Sequence, residues 1–175
     1  MAEEKGSDCG IPNICRRDVP AWLVAVDNLP TIIMFILGAA VIWLLWWLFA
    51  VIYIAYCAIS IVLFWAFICP YCHHFNTKAC PCGYGAIAPR FFKSKKDKCR
   101  DFRKIFRFNI AIMFPCWLVP TIAGIYILAT AYSLPALALL ACFCVVGFAL
   151  IPLISIFVGC KNCDVKKDCP WMMKK

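Results

Sequence analysis

Charge is absent from two long stretches of this sequence: from Asn28 to Cys69, and again from Phe108 to Cys160, there is no aspartate, glutamate, lysine or arginine. Charged residues make up 15% of the chain and hydrophobic ones 65%, whereas a soluble domain carries roughly 25% charge. A water-soluble core of this size has no room for that much apolar surface, which excludes a soluble globular fold. A bilayer span takes about 20 apolar residues, and each run exceeds that. Histidine is nearly absent as well. His73 and His74 are the only two and both lie outside the runs, so this chain alone cannot ligate an intramembrane haem through two histidines. No Ser/His/Asp set, carboxylate pair or phosphate-binding glycine loop appears, and the runs lack the ionisable residue that a pump or intramembrane enzyme places in lipid. A cleaved export signal fits poorly, because Met1-Ala-Glu-Glu is acidic where such a signal is basic, and a signal's apolar core is only about 7–15 residues. The Arg16-Arg17 pair is followed by Asp18-Val-Pro-Ala-Trp, which does not suit a twin-arginine signal.

What is present divides into five segments: 1–28, partly interfacial; 29–69, the first apolar run; 70–107, a cysteine-rich and then basic loop; 108–159, two spans; and 160–175, a basic tail with cysteines. Asn28 is a good N-cap residue and Pro30 suits a first turn, so a helix is expected to start near Leu29. Continued unbroken to Cys69 it would be about 60 Å long, about twice the hydrocarbon thickness. Two spans fit better, although no glycine, proline or asparagine lies between Gly38 and Cys69 to mark a turn. The Trp46-Trp47 pair offers an interfacial one. The alternative is a single long, tilted helix and three spans in all. In the second run Ser133-Leu-Pro135 marks a break, giving spans near 109–131 and 136–158. The expected fold class is all-α, a polytopic helical membrane protein with four spans in two hairpins. Lysine and arginine number three before Asn28, ten between Pro70 and Arg107 and five after Cys160. The positive-inside tendency then places the central loop in the cytoplasm, together with both termini when there are four spans.

Of the 14 cysteines, Cys57, Cys116, Cys142 and Cys144 fall in the apolar runs and read as small buried hydrophobes. Outside the runs, Cys69-Pro-Tyr-Cys72-His73-His74 and Cys80-Pro-Cys82-Gly83-Tyr84-Gly85 set four thiols in two close pairs. Thiolates at Cys69, Cys72, Cys80 and Cys82, with His73 or His74 able to replace one, match the closed tetrahedral set that zinc prefers, and Gly83 and Gly85 permit tight turns. The same residues support other readings. Cys69-Pro-Tyr-Cys72-His73 fits the attachment pattern of c-type haem, which needs an outward-facing loop and is opposed by the ten basic residues. Cys69-Pro-Tyr-Cys72 resembles the dithiol of glutaredoxins, over four residues only and without their βαβ context. Free or lipid-modified thiols are a further reading. A second group, Cys160, Cys163 and Cys169-Pro170, is one ligand short of a closed site. Cys99 is a candidate fourth, as are Cys9 and Cys15, for zinc or an iron–sulfur cluster.

Between Phe91 and Arg107, Phe102, Ile105 and Phe106 recur at helical spacing, with Arg103 and Arg107 among the surrounding charges. That pattern suits a helix lying on an anionic leaflet, or a charged extension of the next span whose long side chains snorkel. Because the membrane accounts for the charge, nucleic acid is not an expected partner. The expected function is a non-catalytic integral membrane subunit or scaffold of a larger complex, with metal-stabilised cysteine knuckles on the cytoplasmic face. Its expected partners are the bilayer, anionic headgroups, and other membrane subunits or a second copy. The alternatives are an electron-transfer component with iron–sulfur clusters and a membrane-shaping hairpin protein.

Overall fold

The computed structural model describes residues 18–72, 74–94 and 102–160, and every regular element among them is helical. Four helices are long and apolar enough to cross a membrane: Ala21–Trp43, Trp47–Tyr71, Ile105–Thr130 and Leu134–Val158. The first apolar run is therefore two helices, α1 (Ala21–Trp43) and α2 (Trp47–Phe67), and not one long tilted helix. The chain reverses over Leu44 to Trp46 without glycine or proline. The amides of Leu44 and Leu45 bond three residues back, to Val41 (3.2 Å) and Ile42 (3.0 Å), and Trp46 turns extended. Tightening the last turn in this way satisfies carbonyls that a helix end leaves free. Trp43, Trp46 and Trp47 are all exposed around this turn, a placement that suits indoles at the headgroup level.

The start of α1 differs from the expectation. The helix begins at Ala21, after Pro20 at φ −66°, and Asn28 lies inside it. Pro20 is preset for a helix start, whereas Asn28 directs its side chain elsewhere, as described below. One consequence is that Asp27 belongs to a membrane-length helix, so an ionisable residue does occur within a span.

After the loop, α3 (Tyr84–Ile87) is a single turn, and α4 (Phe102–Met113) runs with one irregular residue into α5 (Pro115–Thr130). The Ser133 hydroxyl caps α6 (Leu134–Cys144) by accepting from the amide of Ala136 at 3.3 Å, as the Ser-Leu-Pro sequence suggests. Beyond α6 the helix continues through π-helical turns at Val145–Leu150 and Ser155–Cys160 on either side of α7 (Ile151–Ile154). Pro152 accounts for the first of these turns, because it has no N–H for the carbonyl of Phe148, four residues back.

Helix α1 packs against α2, α5 and α6 and is the central element. Met34, Phe35, Val41 and Ile42 from α1 meet Tyr53 and Cys57 from α2, Cys116 from α5, and Leu140 and Phe143 from α6. Gly38 is needed where α1 passes Tyr53, since a Cβ there would stand 2.5 Å from the tyrosine oxygen.

Two tyrosines bind the hairpins together by answering backbone breaks that proline and helix ends create. Pro120 leaves the carbonyl of Cys116 without its amide donor, and the Tyr53 hydroxyl donates to that carbonyl at 2.8 Å. The carbonyl of Ile112 lies in the last turn of α4, and the Tyr56 hydroxyl donates to it. In lipid no water can fill these roles, so each tyrosine removes a substantial penalty.

Candidate functional site

The first cysteine group folds as a small cap over one end of the bundle. A 3₁₀ turn at Cys69–Tyr71 follows α2, and the amides of Cys72 and Phe75 bond back to the carbonyls of Cys69 (3.0 Å) and Cys72 (3.1 Å). Asn76 turns left-handed at φ 61°, and its amide bonds to the carbonyl of Gly85 at 2.9 Å, drawing the two cysteine arms together. Gly83 sits at φ 75°, a conformation that disfavours a side chain, and Gly85 passes against the His74 carbonyl and the Cβ of Cys80. Cys69, Phe75 and Ala88 form a small core with Phe64, Trp65, Tyr84 and Phe92. The Tyr84 ring lies 5.6 Å from that of Trp65 and 6.0 Å from that of Phe64.

Asn28 docks this cap onto α1. Its amide nitrogen donates to the Cys82 carbonyl at 3.1 Å and to its own helix at Val24, at 2.8 Å. Its side-chain oxygen accepts from the Tyr84 hydroxyl at 2.6 Å. The amide of Val19 adds a backbone bond to the carbonyl of Lys78 at 3.0 Å, so the start of α1 and the loop share one end of the bundle. Beside Asn28, the Asp27 carboxyl lies close to the Cys82 thiol. Asp27 thus sits in a membrane-length helix with its carboxyl toward the cap, its Oδ1 buried without a hydrogen-bond partner among the described residues.

The four thiols share one neighbourhood. Cys69 feels Cys72 and Cys80 electrostatically, and Cys82 feels Asp27, Cys80 and Cys72. Burial pushes the Cys82 thiol well above its ordinary range, and the Asp27 carboxylate and neighbouring thiols push the same way. Burial also raises the Tyr84 hydroxyl, with Cys82 and Asp27 adding to it. Both groups therefore stay protonated near neutral pH, and the Tyr84 hydroxyl uses its proton to donate to Asn28. His74 is buried in the cap. Among the described residues, no three or more His, Cys, Asp or Glu side chains are gathered, as placed, around a point that could hold a metal ion.

His73, Cys99, Cys163 and Cys169 lie outside the described residues, as do the side chains of Cys160, Phe102 and Arg103. Ile105, Phe106 and Arg107 belong to α4, which is continuous with a membrane-length helix; Phe106 is buried against the protein and Arg107 is exposed. Among the cysteines of the runs, Cys57 and Cys116 are buried, Cys144 is half-buried and Cys142 is exposed on the outer face of α6. Sequence reasoning missed Asp27, Asn28 and Tyr84 as a docking group. The available signal was two polar residues set directly against an apolar run.

No protein family model matches the chain, and neither does any curated protein or solved structure. The fold defines a class: an all-helical chain with four apolar helices of membrane length, whose outward faces suit contact with bilayer lipid.

Proposed function

We propose that the chain is a non-catalytic integral membrane subunit whose thiol cap takes up zinc and presents a fixed surface to partner proteins on the cytoplasmic side. The observation that carries this reading is Asn28, which bonds both the Cys82 carbonyl and the Tyr84 hydroxyl and so makes cap and membrane helix one unit. The cap is built for position, and its polar groups are spent on holding it in place. Apolar faces along the outer sides of the helices suit packing against other helices as well as lipid.

Zinc is supported by the donor chemistry and by the Asn76 to Gly85 bond that brings the two cysteine arms together. Closing a site requires Cys69, Cys72, Cys80 and Cys82 to turn their thiols inward and give up their protons, which a divalent cation favours. The ten basic residues of the loop support its cytoplasmic placement.

The test is elemental analysis of anaerobically purified protein, with its mass measured in mild detergent. About one zinc per chain and a mass above that of a single chain are expected. Protein that binds no metal and runs as a lone monomer overturns the reading. Brown protein containing iron would replace it with electron transfer through iron–sulfur clusters.

A further inference from the structure

Cys57 of α2 and Cys116 of α5 meet inside the bundle with their sulfur atoms 3.7 Å apart, and both are free thiols. They come from different hairpins, 59 positions apart in sequence. The pair is enclosed, with exposures of 2% at Cys57 and 0% at Cys116. Hydroxyls flank it on two sides. Tyr53 lies beside the Cys57 thiol while donating to the Cys116 carbonyl, and Ser60, itself fully buried, lies beside the Cys116 thiol.

We propose that Cys57 and Cys116 form an oxidisable dithiol that closes into a disulfide between α2 and α5, and that its oxidant is a neutral two-electron acceptor dissolved in the lipid. A disulfide sulfur pair stands about 2.05 Å apart, so closure needs an approach of about 1.7 Å. In the reaction both S–H bonds break and one S–S bond forms, and the two electrons and two protons pass to the acceptor, as when a quinone becomes a hydroquinone. Apolar burial slows a thiol's ionisation. The Ser60 hydroxyl, beside the Cys116 sulfur, offsets this by having a proton to donate to a thiolate formed there, while the one Tyr53 proton stays with the Cys116 carbonyl.

Access decides the class of oxidant. Charged, water-borne oxidants and reductants have no route to a pair this enclosed. From the lipid side, a cleft of about 380 Å³ lined by Phe49, Tyr53, Tyr56, Pro115 and Val119 reaches Tyr53, the residue that touches both cysteines. The oxidation state of the pair thus follows the lipid phase and not the aqueous thiol pool.

The experiment uses the full chain in its membrane and diamide, a neutral azo compound that is reduced to the hydrazine as two thiols become a disulfide. After an acid quench, remaining thiols are blocked with N-ethylmaleimide in denaturant, and the protein is digested and mapped by mass spectrometry without reduction. The expected result is a joined peptide containing Cys57 and Cys116, with parallel loss of their maleimide-labelled forms and recovery of both by a reductant. In Cys116→Ser, Cys57 should remain labelled after the same treatment. The proposal is overturned when both residues stay fully labelled while the cap cysteines react, or when either one pairs elsewhere. Mapping of the unaltered protein keeps the test decisive even where Cys116→Ser fails to fold.

Discussion

Replacing Tyr53 with phenylalanine removes one oxygen from a residue that is 4% exposed, with little change in shape. The Cys116 carbonyl then loses the donor held at 2.8 Å. An unsatisfied buried polar group costs about 1–3 kcal/mol, while side-chain hydrogen bonds between membrane helices contribute on average about 0.6 and at most about 1.7 kcal/mol. A loss of about 1–2 kcal/mol is therefore expected for Tyr53→Phe, because the alternative donor has been removed by Pro120. Pro120→Ala restores an amide to the same carbonyl. In that background Tyr53→Phe should cost less than about 0.5 kcal/mol, so the two substitutions should be coupled by about 1 kcal/mol. Reversible unfolding in mixed micelles of rising dodecyl sulfate fraction measures all four corners of the cycle. Tyr56→Phe is the control, since its acceptor is Ile112 and its cost should not depend on Pro120. Equal costs of Tyr53→Phe in both backgrounds would refute the reasoning, and so would no cost beside the native proline.

Asn28→Ala should release the cap from α1 by deleting both bridging bonds, at about 1–3 kcal/mol; faster tryptic cleavage after Lys78 reports it, and an unchanged rate speaks against the docking role. Gly85→Ala places a Cβ against the His74 carbonyl and 2.8 Å from the Cys80 Cβ, a backbone clash worth about 1–3 kcal/mol or more, so that variant should lose the Trp65 to Tyr84 ring contact, read as a change in tryptophan emission. In metal-free protein the raised Cys82 thiol makes stability depend on alkaline pH. The unfolded thiol ionises first, so the contribution is whole below the ordinary value of 9.0 and is lost as the pH climbs through the higher folded value. Cap loosening that sets in as the pH rises above the ordinary value of 9.0, followed by the same emission, is expected, and loosening only on acidification would contradict it.

The membrane class was legible from charge alone, because spans confine charge to their ends and leave long stretches without any. The Ser133-Leu-Pro135 break was legible for the same kind of reason: proline and a capping hydroxyl act locally. The turn at Leu44 to Trp46 was legible only through the Trp46-Trp47 pair that marked an interface, since it is closed by backbone bonds that any residue can make. Asn28 misled because an asparagine before an apolar run has two uses, capping the next helix or reaching out from within one. Only the position of Cys82 and Tyr84, 54 and 56 residues away, decides between them. The four cap thiols were recognisable from their spacing, whereas Asp27 beside them was not, because no local pattern links a helix in the membrane to a loop so far along the chain.

That separation has a consequence for how the protein is made. When α1 first enters the membrane, Asn28 can bond only within its own helix, to Val24, and the residue that lies beside both Asp27 and Asn28 is 54 positions further on from Asn28. At about 5–20 residues per second of synthesis, the helix waits several seconds before Cys82 exists. During that interval the first turns of α1 carry polar groups whose cap partners do not yet exist and which lipid cannot replace. Arrival of Cys82 and Tyr84 then gives Asn28 the partners that seat the loop on the first hairpin.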